Sequence, residues 1–430
     1  MPDRAIVLTF CRLAVLGGLV FVERSAAADP HEPLLSAPRP QRLLSLPEAI
    51  AYALAHQPAL AAQRASLASS RSSHQAALRT RVPTFLAPDL PYRRQQAAVS
   101  VRLAQAGLAQ AEWDAVYAVT RTHFSVIYAR MQRRIGERLV QQLRQRQKEE
   151  TEELLKRQPG AERSTVRSAI LLQLVESQLQ DAVAGEHRAL AAWREALGAP
   201  PDFDAEPAGD ELPDPILDLD REQVVQFALE RRGEVIQAAG AVELTELEVC
   251  AQQALRRLQT TTFAAYADLH ARPVRPGSFG RDYSPVAVAL EMPSQLSGKR
   301  EDRVAKVLAL QERAEAVAAK TRNLVLLEAE HAFSQYQEYR QKRVTLRRAG
   351  EAAVNLTRLL WKDYRQLLTI ARFDEAVLAE LIAGEVRLQV NEAQFQYVLA
   401  LAALQRVTAG GILPCWEAAL PTGNPAPGDP

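Results

Sequence analysis

Two stretches of this chain, Val99 to about Arg157 and Lys299 to about Leu368, contain no proline. In the first, Val116, Val119, Phe124, Ile127, Met131, Ile135, Leu139 and Leu143 recur every three to five positions and form one apolar stripe. Val304, Val307, Leu308, Val317, Leu324 and Leu327 supply the stripe of the second. Each stretch therefore reads as one unbroken helix. Roughly 60 residues at 1.5 Å each give a rod of ~90 Å, far longer than a globular helix. A chain obliged to build two such rods must lay other helices along them.

Each rod is followed by a break and a second helix. Gln158-Pro159-Gly160 stops the first, and a helix from Ser164 to Leu197 follows, with Val166, Ile170, Leu174, Leu190, Trp193 and Leu197 on its stripe. Gly198 and Pro200 end it. A turn near Thr369 to Phe373 leads from the second rod to a helix that stops at Gly410-Gly411. Long helices joined by tight turns must run antiparallel.

The first rod is preceded by a shorter helix. Ser45 with Glu48 three residues on makes a capping box, Pro47 suits the first turn, and the helix runs from Ala49 to Leu78 with an interruption at Pro58. The same wording returns 175 residues later. Leu44 to Leu54 is echoed by Leu219 to Leu229, and Pro58-Ala59-Leu60 falls on Gly233-Glu234-Val235. An offset this large marks a duplicated domain rather than a solenoid. The repeats span 44–198 and 219–411, joined by a proline- and aspartate-rich linker at 199–218.

The second repeat carries an insert. Thr260 to Tyr266 and Val286 to Met292 favour strands, giving a β-hairpin at about 260–292 around a loop with Arg272, Arg275 and Arg281. Those arginines suit lipopolysaccharide phosphates or simply keep the loop soluble. The corresponding region of the first repeat, 81–101, has three prolines and little alternation, so its hairpin is either shortened or lost.

The N-terminus has Arg4 and Arg12, an apolar run from Leu13 to Val22 and a small-residue end at Ser25 to Ala28, which reads as a signal peptide over 1–28. A proline-rich lead-in covers 29–43, and a disordered tail is expected over 412–430. No other stretch is apolar enough for a membrane-spanning helix, so any membrane contact must be through strands or from the surface.

Composition narrows function further. A net charge of +1 with interleaved signs gives no field to hold a polyanion, so nucleic acid is not an expected partner. The three cysteines, Cys11, Cys250 and Cys415, make neither a disulfide framework nor a metal spacing. The seven histidines are dispersed, and there is no nucleophile elbow and no phosphate loop. No catalytic, cofactor-binding or metal-binding residues are therefore assigned, and an enzyme is not expected.

Leu46-Pro-Glu-Ala-Ile-Ala-Tyr-Ala-Leu54, Pro58-Ala59-Leu60, Val288-Ala-Leu-Glu-Met-Pro293 and Ala402-Ala-Leu-Gln-Arg-Val-Thr-Ala-Gly410, in this order and spacing, resemble the TolC-like outer membrane efflux proteins. The resemblance covers about 43–411. It implies a mainly α chain of duplicated helical hairpins with short β-hairpin insertions, assembled as a homotrimer. Each subunit of such a trimer gives four strands to a shared outer-membrane barrel, while most of the chain lies in the periplasm. It implies a passive export conduit that docks a periplasmic adaptor protein and an inner-membrane pump. The tips at Arg157 to Thr165 and Leu368 to Asp374 then open or close the channel, which makes Pro159, Gly160, Ser164, Thr369 and Asp374 the gate candidates. Asp374 repeated by threefold symmetry would ring a constriction, whereas its ordinary reading is a solvated residue or helix N-cap. Trp361 and Tyr364 read as a partner-facing pair or as helix-packing aromatics. The sequence departs from the family in the first hairpin region and in a second tip where Leu367 and Leu368 stand in place of glycine. The alternative to a channel is a periplasmic coiled-coil scaffold or adaptor that has lost part of its barrel.

Overall fold

The structure, a computed structural model, describes residues 42–157, 162–200, 202–256, 298–367 and 370–412. The signal peptide, the second β-hairpin with its three arginines, Pro159, Gly160, Thr369 and nearly all of the tail lie outside the described residues. The order of elements is β1 (Arg42–Leu44), α1 (Leu46–His56), α2 (Pro58–Arg79), α3 (Leu90–Arg157), α4 (Glu162–Leu197), β2 (Ala205–Pro207), α5 (Arg221–Arg231), α6 (Gly233–Ala254), α7 (Arg300–Leu367) and α8 (Ile370–Val407). The rods α3 and α7 each have 68 residues, ~100 Å at 1.5 Å per residue. They pair with α4 and α8 as long hairpins, and α3 also packs on α2, α6 and α8.

Duplication is exact in the short helices. Helices α1 and α5 both have 11 residues, α2 and α6 both have 22, and Leu46 and Pro58 precede Arg221 and Gly233 by the same 175 positions. Ser45 caps α1 by donating its amide and hydroxyl to Glu48, and Asp220 caps α5 by accepting from the Gln223 amide. At the breaks between these helices Gln57 and Arg232 hold nearly the same extended backbone, with ψ of 119° and 130°. Pro58 explains the first break, because the residue before a proline avoids the α region. No proline follows Arg232. There the break is held by side chains, since the Arg232 guanidinium, fully buried, donates to Glu234 at 2.7 and 2.9 Å and faces Glu328 at 2.9 Å.

The linker is fastened rather than loose. Strand β2 pairs parallel to β1, so the lead-in ends in a strand instead of remaining extended coil throughout. Tyr336 and Tyr397 donate their hydroxyls to the Leu217 and Pro215 carbonyls, and Arg343 and Arg347 hold Asp214. Burial would raise the Asp214 pKa, but these two guanidiniums lower it below the ordinary value. The main core lies beneath this strap, with Phe124, Ile127, Phe333, Leu401 and Leu404 in it.

One open alternative is decided and two expectations are corrected. Among the described residues 79–101 hold no strand: α2 runs to Arg79, a connector with turns at 84–86 and 88–89 follows, and α3 begins at Leu90, nine residues before Val99. The missed signal is Asp89-Leu90-Pro91, whose Asp89 carbonyl receives the Tyr92 and Arg93 amides at 3.0 Å while Pro91 sits in the first turn, where no amide is needed. The first β-hairpin is thus absent from the first repeat. Second, Val166, Ile170 and Leu174 are 58, 53 and 57% exposed, while the covered side of that part of α4 carries Ser164, Ser168 and Val175. Third, Leu308 and Leu327 on the α7 stripe are exposed, although Val307 and Leu324 are buried.

Candidate functional site at the hairpin tips

The tips are built by helix starts. From α3 onward the two repeats are offset by 210 positions, Leu90 to Arg300 and Leu197 to Val407. By that offset Ser164 near the start of α4 and Asp374 near the start of α8 are equivalent residues. The structure brings these two gate candidates together: the Ser164 hydroxyl donates to the Asp374 carboxylate, and Arg167 Nη1 donates to its other oxygen at 2.9 Å. Ser164 is 3% exposed, whereas the Asp374 and Arg167 side chains stand 28 and 67% exposed. Near the tips this carboxylate ties one hairpin to the other. Pro159, Gly160 and Thr369 lie outside the described residues.

Below this tie lies an aromatic cluster. Trp361, Tyr364 and Phe373 pack with centroids 5.5 to 6.3 Å apart, against Leu139, Leu143, Val175 and Val377. Trp361 and Tyr364 are 5 and 0% exposed, so the helix-packing reading of this pair holds. Trp361 Nε1 donates to Glu380 at 2.7 Å, and Arg146 lies 4.6 Å over its ring. Gly384 lets α8 close onto α3, because a Cβ there would stand 2.5 Å from Leu139 Cδ2. The tie thus rests on a packed base.

Beside the base a groove of about 610 Å³ is lined by Arg146, Arg358, Lys362, Arg365 and Arg387, with Glu380 as its acid. Sequence reasoning missed it, because these residues are spread over three helices and only their packing collects them. The arrangement offers charge and shape but no nucleophile poised against a base. Among the described residues no group of three histidine, cysteine or acidic side chains lies close enough to hold a metal ion, and no helix is long and apolar enough to cross a membrane.

No protein-family profile matches the chain, and no curated protein sequence does. Solved structures do match. The Campylobacter jejuni CmeC outer membrane channel aligns with a TM-score of 0.67 at 9% identity over 92% of this chain and 94% of its own. The outer-membrane channel OprN aligns at 0.66 and 17% over 92% and 99%. The outer membrane protein VceC of Vibrio cholerae aligns at 0.65 and 14% over 85% and 96%. At such identities the likeness is one of fold.

Proposed function

The chain has the fold of outer-membrane channels, and from that premise we propose that it is a subunit of such a channel. In this reading it is a passive conduit, part of a tripartite efflux or secretion system, with most of its length in the periplasm. The observation that carries the reading is the Ser164–Asp374–Arg167 tie, which joins two equivalent helical hairpins at one end of ~100 Å rods. A bundle that needed only stability has its core for that purpose. A partly exposed carboxylate bridging two tips is a contact that can open without unfolding either hairpin.

Exposed apolar side chains support assembly. Val166, Ile170 and Leu174 on α4, and Leu378 and Ile382 on α8, sit one turn apart on faces that no described element covers. Copies of the chain placed around an axis, a homotrimer, bury such faces side by side. The cationic groove beside the tips suits an adaptor protein presenting carboxylates, and an inner-membrane pump would supply the energy a tube lacks. The connector between α2 and α3 in the first repeat contributes no strand to an outer-membrane end.

Membrane fractionation followed by planar-bilayer recording tests this. Wild type is expected to leave the outer membrane only with detergent, as an oligomer, and to open in discrete conductance steps. Asp374→Ser removes the acceptor for Arg167 and makes the tip pair identical in the two repeats, so the open fraction should rise. A monomer released into the periplasmic fraction, with no conductance in either protein, would sink the reading.

A further inference from the structure

At the end of the body opposite the tips, residues 80–89 join α2 to α3 through turns in which the Leu86 and Ala87 amides donate to the Pro83 carbonyl at 2.9 and 3.2 Å. The connector is anchored to α3, because Arg94 donates to the carbonyls of Ala77 at 3.1 Å and Thr80 at 2.7 Å. On this fixed turn Phe85 is 82% and Leu86 64% exposed, with Val82 at 40%. Arg79 and Arg81 beside them are exposed too, and among the described residues no carboxylate pairs with either. Among the described residues this large apolar pair packs into no core cluster.

The same end is where the second repeat's long connector departs. Arg93 bonds Glu248, Gln252 donates to Glu248 at 2.7 Å, and Arg303 donates to Gln252 at 2.8 Å. Arg303 then fixes the carbonyls of Leu255 at 2.9 Å and Gly298 at 2.6 Å. The start of α3 and the ends of α6 and α7 at this end of the body thus share one polar network.

We infer that residues 79–86 are an interfacial foot, seating Val82, Phe85 and Leu86 at the edge of the acyl layer of an anionic phospholipid bilayer while Arg79 and Arg81 meet its phosphates. This rests on the outer-membrane reading above. The charge pattern selects the occupant. Two unpaired guanidiniums beside an apolar tip suit a surface that is apolar within and anionic at its rim, whereas an apolar protein face would bury them without partners. The depth is limited to the interface, because the turn's unpaired backbone groups cannot enter hydrocarbon. The first repeat thus touches with side chains a membrane it does not cross with strands.

The full chain carrying Cys11→Ser, Cys250→Ser, Cys415→Ser and Phe85→Cys, labelled at position 85 with an environment-sensitive fluorophore, tests this by vesicle flotation and emission on one sample. A label at Leu359, exposed on α7, serves as control. With phosphatidylglycerol vesicles the label at 85 should shift to the blue and be quenched by brominated acyl chains, and the label at 359 should not. Phe85→Asp with Leu86→Asp should weaken vesicle binding on the order of tenfold. Arg79→Gln with Arg81→Gln should weaken it about fivefold per charge, on phosphatidylglycerol and not on phosphatidylcholine. A label at 85 already blue before lipid is added means another copy or residues 257–297 cover it, and overturns the inference. Protein that floats while the label stays unchanged overturns it also and leaves the outer-membrane reading intact. Protein that never floats removes both.

Discussion

Residues 80–89 connect the second and third helices of the first repeat, and residues 255–299 make the same connection in the second. On either side of this difference the repeats agree: short helices of equal length, rods of equal length, and ends in register. The contrast shows where a packed helical body tolerates change. Lengthening α2 or α6 would turn every later side chain to another face, whereas a connector at the end of the body can grow or vanish without disturbing a packed contact. The connectors were free to diverge there and the rods were not.

Making the repeats alike should break what distinguishes them. The largest effect is expected from replacing residues 255–299 by the 80–89 connector. Helical content by circular dichroism should hardly change, while detergent-dependent extraction from the outer membrane and bilayer conductance are both lost. Retained conductance would show that residues 255–299 are not needed to seal the membrane end.

A smaller, energetic effect is expected at the helix breaks. Gln57 of the first repeat donates to the Ala196 carbonyl at 3.0 Å, and its equivalent Arg232 is buried against Glu234 and Glu328. Burial opposes the Arg232 charge, but the facing Glu328 and Glu234 carboxylates outweigh it and raise its pKa. Arg232→Gln should therefore cost about 3–5 kcal/mol in denaturant unfolding, because it strands buried carboxylates. Gln57→Ala, which removes only neutral hydrogen bonds to the Glu195 and Ala196 carbonyls, should cost about 1 kcal/mol. Equal costs would mean that the ion cluster contributes nothing beyond the bond at its counterpart.

The effect that is smallest near neutral pH emerges on acidification. His123, 2% exposed between Phe124 and Trp193, is the equivalent of Phe333. Burial lowers its pKa from 6.5 to about 4. The unfolded chain then binds a proton that the folded chain refuses, so stability is full above pH 6.5 and declines as pH falls towards 4. His123→Phe should match wild type in melting temperature near neutral pH to within a few degrees. It should lose less than wild type between pH 6.5 and 4, and parallel curves would show that His123 is not the group titrating.

The sequence was most readable where backbone rules act locally. Ser45 and Glu48 announce a helix start, and Pro58 announces a break, because each works within one turn of chain. Asp89-Leu90-Pro91 carried an equally local message, obscured by the neighbouring prolines Pro83 and Pro88. The stripe Val166, Ile170 and Leu174 misled for another reason. Periodicity identifies an apolar face without saying whether its cover comes from the same chain. The gate candidates Ser164 and Asp374 could be chosen one by one as tip residues, but nothing in their spacing tells that they meet.

By itself, then, the sequence determined two rods, their antiparallel partners and their duplication, since helical period, capping and proline placement are set over a few residues. The tertiary structure alone decided the loss of strands between α2 and α3, the break at Arg232 without a proline, the gathering of five cations beside the tips and the Ser164–Asp374 tie. Each depends on residues far apart along the chain whose meeting follows from how the rods pack, and packing is a sum over all contacts that no local pattern contains.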